Sequence, residues 1–120
     1  MPDRRVPKAP VGLQTRGRAF WRSTWEAYEL NIDERELLVE VCRALDYSEA
    51  LAAVVRRDGV TSEGSRGQLR THPALAELRA VAETLRRLLA QLGLPSPDEP
   101  TKPSLLSPLQ ARGRNAAQKR

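Results

Sequence analysis

Two long stretches of apolar residues repeat with helical spacing, and the residues around them mark where each helix begins and ends. The first stretch covers residues 32–57 and follows Asn31, which forms a capping-box pattern with Glu34. The second begins at Pro73, a favourable first residue of a helix, and stops at Gly93. The pattern predicts two long helices that pack as an antiparallel hairpin.

The second of these helices carries a wider apolar stripe than one neighbouring helix can cover. Its a/d positions step by three and four residues, and two further apolar positions widen the stripe. Only about 75 residues are suited to a core, and a core of that size is marginal alone. We therefore expect a ring-like homo-oligomer. The expected interface residues are Leu75, Leu78, Val81, Leu85, Leu88, Leu89 and Leu92, with Ala82 in the same stripe.

A shorter helix is predicted over residues 18–30, where four of the five aromatic residues of the chain fall. Trp21, Trp25 and Tyr28 are spaced i, i+4 and i+7, so they share one helix face. That face either covers the hydrophobic core or, with the neighbouring arginines, stacks on the bases of a single strand.

The connector between the long helices, residues 59–70, is longer than a compact helical hairpin needs. Val60-Thr61 and Gln68-Leu69 would pair as a short β-hairpin around Glu63-Gly64. Three glycines suit a flexible loop equally well, so both interpretations stay open.

Basic residues are concentrated at the ends of the chain. Residues 1–18 carry a balance of +4, residues 19–93 of −2 and residues 94–120 of +3. A near-neutral middle with basic ends is typical of a protein that contacts a polyanion, and the alternative is that the ends only keep the chain soluble. The candidate DNA-binding residues are Arg4, Arg5, Lys8, Arg16, Arg18, Arg22, Arg66, Arg70, Arg112, Arg114, Lys119 and Arg120.

The chain lacks the residue patterns of common catalytic and cofactor sites. Cys42 is the only cysteine and His72 the only histidine, and there is no phosphate-binding GxxxxGK[ST] or GxGxxG. We expect a binding protein with no catalytic residue, metal or cofactor. No apolar stretch approaches the length of a membrane span, and no signal-peptide pattern is present, so we expect a cytoplasmic protein without a membrane partner.

Several short motifs follow one another in a distinctive order. They are Gly17-Arg18-Ala19-Phe20-Trp21, Tyr28-Glu29-Leu30 with Asn31-Ile32-Asp33-Glu34, Leu45-Asp46, the glycines Gly64 and Gly67, His72-Pro73-Ala74, Glu77-Leu78-Arg79 and Leu92-Gly93-Leu94-Pro95. This order resembles the small terminase subunit of tailed bacteriophages. The resemblance covers residues 17–95, which is most of the chain.

The resemblance implies a ring that binds double-stranded viral DNA and stimulates the large terminase subunit, an ATPase and nuclease that packages the genome. It implies action in the cytoplasm of the infected bacterial host. Some members carry an N-terminal helix-turn-helix, but residues 1–17 are too short and contain Pro2, Pro7 and Pro10. Contact with the DNA backbone by basic arms is therefore expected. The alternatives are a small helical transcription regulator or antitoxin, and a purely structural adaptor.

These observations predict an all-α fold, in which a short N-terminal helix precedes the long antiparallel hairpin. Residues 1–17 would form a basic flexible arm, residues 18–93 a helical oligomerisation core, and residues 94–120 a Pro-rich, basic, disordered tail. The tail holds one apolar cluster, which would either dock on the large subunit or pack back on the hairpin. Its members are Leu105, Leu106 and Leu109.

Overall fold

A computed structural model describes residues 6–95 of the chain. It contains three helices, α1 over Thr15–Ala27, α2 over Ile32–Asp58 and α3 over Pro73–Leu92. Two short strands, β1 over Thr61–Glu63 and β2 over Leu69–Thr71, lie between α2 and α3. The predicted helical hairpin with a shorter preceding helix is confirmed. Predictions that fall on residues 1–5 and 96–120 lie outside the described residues.

The ends of the two long helices follow the local capping signals. Asn31 Oδ1 accepts the N–H of Glu34 at 2.8 Å, and Glu34 Oε1 accepts the N–H of Asn31 at 2.9 Å, which completes the capping box of α2. Gly59 ends α2 and Gly93 ends α3, the latter in the left-handed conformation at φ 63°. These boundaries were predicted from sequence because every capping group lies within a few residues of its helix end.

His72 joins the end of α2 to the start of α3. Its Nδ1 accepts the N–H of Ala74 at 3.0 Å, so the ring proton sits on Nε2 and is donated to Asp58 Oδ2, also at 3.0 Å. The Arg57 guanidinium, with a further contribution from His72, holds the pKa of Asp58 well below its usual range. His72 is therefore the N-cap residue of α3.

The connector is a β-hairpin, which resolves the choice between strand pairs and a flexible loop. Strands β1 and β2 are antiparallel, with Thr61 opposite Thr71 and Glu63 opposite Leu69. The N–H of Gly67 donates a hydrogen bond to the carbonyl oxygen of Gly64 at 3.0 Å, which closes the turn. Gly67 has a φ of 84°. The turn therefore lies a residue or two later than the predicted Glu63-Gly64 centre, at the position where a glycine supplies the positive φ.

The hydrophobic core occupies one half of the helical hairpin. Leu38, Val41 and Cys42 of α2 are fully buried, and they form one cluster with Trp21 of α1 and Leu92 of α3. Because Leu38 lies early in α2 and Leu92 lies late in α3, the two helices run antiparallel. No residue of α2 beyond 45 is buried, so the other half of the hairpin is a two-helix arm that ends in the β-hairpin.

Residues 6–14, which fall within the predicted basic arm, contact the hydrophobic core in part. Helix α1 begins at Thr15, three residues earlier than predicted, and ends at Ala27, which leaves Tyr28 just beyond it. Leu13 is buried, and Val6 and Ala9 pack against the core. These apolar residues have no helical or strand periodicity, so the sequence pattern did not reveal their burial.

Helix α3 buries residues that coincide only in part with the predicted seam. Its buried residues are Ala74, Val81 and Leu92, whereas Ala82 and Leu89 are exposed. Leu92 belongs to the predicted seam, whereas Ala74 and Val81 each lie one residue before a seam position, Leu75 and Ala82 respectively.

Candidate nucleic-acid interface

The N-terminal segment is held across α1 by the indole of Trp21. Its Nε1 donates a hydrogen bond to the carbonyl of Pro7 at 2.8 Å, and the side chain is only 1% exposed. Trp25 packs partly buried against the same core, with its ring centroid 5.9 Å from that of Trp21. The core interpretation of the aromatic face is thus confirmed for both tryptophans, and Trp21 has no exposed face on which a base could stack.

A groove of about 520 Å³ lies between this segment and α1. Three of the predicted DNA-binding residues, Lys8, Arg18 and Arg22, line it together with Thr15. None of the described residues that line the groove is acidic. The groove therefore presents cations without a local carboxylate to compensate them, which favours an anionic ligand.

The two arginines share one side of α1 because they are four residues apart. Arg18 donates from Nη1 to the carbonyl of Leu13, so its guanidinium is anchored at the mouth of the groove while its remaining donors stay available. Arg22 and Lys8 are exposed, and neither forms an ion pair within residues 6–95. This arrangement suits contact with successive phosphate groups.

Arg16 lies outside this groove, although it is only two residues from Arg18. Its Nη1 is 3.3 Å from Glu49 Oε1 of α2, and Arg56 approaches the other oxygen of Glu49 at 3.7 Å. A shared carboxylate offsets part of the charge of both arginines. The structure thus separates Arg16 from the three groove cations.

Arg66 and Arg70 lie on the β-hairpin at the far end of the two-helix arm. Both side chains are exposed, and Arg70 stands in β2 opposite Ser62. Helix α2 rises about 1.5 Å per residue, so the hairpin is about 20 Å from the part of α2 that contacts α1. These two residues form a second basic position instead of extending the groove.

The predicted interface leucines of α3 have different environments within one chain. Val81 and Leu92 are buried inside the protomer, and Leu85 and Leu88 pack against its core. Leu75 and Leu78 are half-buried on the two-helix arm, and Leu89 is 44% exposed. The exposed apolar residues of the predicted interface are therefore fewer than the sequence suggested, and Ala82 and Leu89 are exposed whereas Leu75 is half-buried.

The remaining predicted site residues fall beyond the described part of the chain. For the arms these are Arg4, Arg5, Arg112, Arg114, Lys119 and Arg120, and for the docking cluster Leu105, Leu106 and Leu109. Within residues 6–95 no group of three or more His, Cys, Asp or Glu side chains could hold a metal ion. No helix among them is long and apolar enough to cross a membrane.

The groove could be predicted from the sequence only in part. The charges of Lys8, Arg18 and Arg22 were evident from the sequence. What brings Lys8 close to the two arginines is the packing of the N-terminal segment on α1, where the Trp21 indole forms a hydrogen bond with the Pro7 carbonyl. Pro7 and Pro10 indicate an extended segment in the sequence, yet nothing local indicates that this segment turns back onto α1.

The fold and the groove of residues 6–95 are those of a small helical protein in which three cations meet at one surface. A family model described as phage terminase, small subunit, matches residues 17–102. The chain therefore belongs to the phage terminase small subunit family, and this membership supports a role in phage DNA packaging. No curated protein and no solved structure matches the chain significantly.

Proposed function

We propose that this chain binds double-stranded viral DNA through its phosphate backbone and that the groove of Lys8, Arg18 and Arg22 is the centre of that contact. The observation that carries the proposal is the groove itself, in which three cations converge and no acidic residue takes part. Arginine and lysine contacts to phosphates supply most of the affinity of DNA binding that is not specific for sequence. We propose no base-reading helix.

The basic ends would extend the contact from the groove along the DNA. Arg4 and Arg5 directly precede the segment that forms one wall of the groove, so they are placed in sequence to meet neighbouring phosphates. The four basic residues of the C-terminal end would add contacts that are independent of the groove. They are Arg112, Arg114, Lys119 and Arg120.

The chain would act as a homo-oligomeric ring. The support is the two-helix arm, whose apolar residues are only half covered within one chain, and the line of α3 that runs from the half-buried Leu75 to the exposed Ala82. A closed ring made by one repeated contact leaves no such line uncovered. A ring would also present several grooves to one DNA molecule and so raise the overall affinity.

The large terminase subunit would be recruited by the tail, through Leu105, Leu106 and Leu109. In this proposal the chain itself carries no catalytic residue, and ATP hydrolysis and DNA cleavage belong to the large subunit. The complex would work in the cytoplasm of the infected bacterial host, where concatemeric viral DNA is packaged.

Salt dependence of DNA binding tests the role of the groove. Lys8→Gln, Arg18→Gln and Arg22→Gln together should make the slope of log K against log salt less negative by about 2 to 3 per protomer, because each lost phosphate contact removes about 0.9. The control combines Arg35→Gln, Arg79→Gln and Arg87→Gln, three exposed arginines outside the groove, with the same loss of charge. Equal slopes for the two variants, both folded by circular dichroism, would refute the groove as the contact.

A further inference from the structure

A second concavity, an apolar pocket, lies on the opposite end of α1 from the cationic groove. Its volume is about 350 Å³, and it lies between the last turns of α1 and α3. Its polar groups are the hydroxyls of Ser23, Thr24 and Tyr28. Its apolar lining residues are Phe20, Ala27, Leu89, Leu92, Leu94 and Pro95.

The pocket is open to an apolar occupant that residues 6–95 do not supply. Both Leu92 and Leu89 line the pocket, but Leu92 is buried in the core whereas Leu89 is 44% exposed. An exposed leucine beside a buried one in a concave surface marks a place where a further apolar group would exclude water from both.

The chain leaves the described region at the rim of this same pocket. Pro95 is a lining residue, and its carbonyl accepts a hydrogen bond from the hydroxyl of Tyr28, which fixes the exit of the chain to the pocket. Residues 96–120 follow directly. The tail therefore starts on the pocket wall, which makes it the segment of the protein most concentrated at this site.

The sequence of that tail contains one apolar cluster at a suitable distance. Leu105, Leu106 and Leu109 are its only large apolar residues, and nine residues separate the first of them from Pro95. A chain of that length spans at most about 33 Å when extended, more than enough to turn back onto the pocket. A tether this short gives the cluster an effective concentration in the millimolar range.

We propose that this pocket is the intramolecular binding site of the tail cluster, which consists of Leu105, Leu106 and Leu109. The chain thereby covers its own apolar cluster and its exposed Leu89 in one contact. The inference concerns the free protein and does not depend on DNA binding or on the large subunit. It does imply competition with partner proteins, because leucines bound in the pocket cannot contact another protein at the same time.

Disulfide trapping in the full-length chain tests the proposed contact between the pocket and the tail cluster. Ser23 lines the pocket and Ser107 lies inside the tail cluster, so Ser23→Cys with Ser107→Cys places one thiol on each side of the proposed contact. The native Cys42 is fully buried and does not compete. The matched control is Ser65→Cys with Ser107→Cys, because Ser65 is exposed in the turn of the β-hairpin.

The Ser23/Ser107 pair should form an intramolecular disulfide at least about tenfold faster than the control pair, as expected for a tethered segment held at its site. Adding Leu105→Asp, Leu106→Asp and Leu109→Asp should remove that advantage. Equal rates for the two pairs, or an advantage that survives the aspartates, would overturn the proposal. A disulfide between two chains would also overturn it, because the occupant would then be the tail of a second copy.

Discussion

Gly17 of α1 lies directly against Asp46 of α2, and a hydrogen bond between the two residues joins the helices. The N–H of Gly17 donates to Asp46 Oδ1 at 2.7 Å, and the N–H of Gln14 donates to Oδ2 at 2.6 Å. Asp46 thus caps α1 from another helix, since Gln14 at the N-cap position makes no side-chain cap of its own. Both residues belong to the motifs that carry the family resemblance.

Gly17→Ala should destabilise the protein, although alanine normally favours a helix. A β-carbon at this position would lie 2.8 Å from the backbone carbonyl oxygen of Cys42, which cannot move without shifting α2. We expect a loss of about 1 to 3 kcal/mol in the free energy of unfolding, the range of overpacked sites. Urea denaturation measures it. Ser23→Ala, at an exposed site of the same helix, is the control and should cost almost nothing. A Gly17→Ala protein as stable as the control would contradict the close contact.

Two N-terminal deletions should have different effects. Removal of residues 1–5 takes away Arg4 and Arg5 and should weaken DNA binding without changing the melting temperature. Removal of residues 1–13 also takes away the buried Leu13 and the carbonyl of Pro7 that receives the Trp21 indole. Loss of a buried leucine alone costs about 2 to 5 kcal/mol.

Thermal melting and tryptophan fluorescence distinguish the two deletions. The longer one should lower the melting temperature and shift the emission of Trp21 to the red, because its indole becomes exposed. If deletion of residues 1–13 left both unchanged, the segment would be the flexible arm that the sequence suggested.

The separate roles of local and distant groups explain which parts of the fold were predictable. The capping residues of α2 and α3 lie within a few positions of the helix ends, and the boundaries of both helices were predicted within a residue or two. The start of α1 was predicted too late because its cap is Asp46, 32 residues from Gln14 in the chain. The buried face of α3 was predicted only in part, because a wide apolar stripe does not indicate which of its residues meet α2. Leu92 is buried as predicted, but Ala74 and Val81 are buried more fully than the seam residues Leu75 and Ala82.

Cys42 should make the stability of the protein fall at alkaline pH. Burial, with a smaller effect from Asp46, raises the pKa of its thiol from 9.0 to about 12. Between pH 9 and pH 12 the unfolded thiol loses its proton while the folded thiol keeps it. Ionisation therefore stabilises the unfolded state relative to the folded state. Stability is unaffected below pH 9 and decreases from there toward pH 12, by at most about 1.4 kcal/mol per pH unit.

Urea denaturation at several pH values measures this effect against Cys42→Ala, in which the titrating thiol is absent. The wild-type stability should fall more steeply than that of the variant above pH 9, and the two slopes should agree below it. Parallel slopes throughout would show that the thiol ionises as easily in the folded protein as in the unfolded chain.

Ala82→Arg should dissociate the proposed ring. Ala82 is exposed on the line of α3 that one protomer leaves uncovered, so an arginine there is harmless to the single chain and clashes with a second copy. Ala80→Arg is the matched control, because Ala80 is also exposed and points to another side of the same helix. Native mass spectrometry reads out the assembly. If Ala82→Arg assembles as fully as Ala80→Arg, this line of α3 is not an interface.

The tail should control stimulation of the large terminase subunit. We expect Leu105, Leu106 and Leu109 to leave the pocket and contact the large subunit as a short apolar motif, which the prolines of the tail sequence keep from being part of a longer helix. Release from the pocket costs free energy, so each contact with the large subunit is weak, and several tails presented by one ring raise the overall affinity. A chain of residues 1–95 should therefore still assemble but stimulate the ATPase of the large subunit far less than the full-length protein does.

A full-length chain with Leu105→Asp, Leu106→Asp and Leu109→Asp should fail in the same way, because it lacks the apolar motif while keeping the tail. Arg112→Gln with Arg114→Gln is the control for charge, and it should stimulate the ATPase normally while binding DNA more weakly. Since each assay is run on protein that has first been shown to assemble, loss of the ring cannot imitate loss of docking. Full stimulation by residues 1–95 would exclude the tail as the docking segment and would direct attention to the exposed β-hairpin instead.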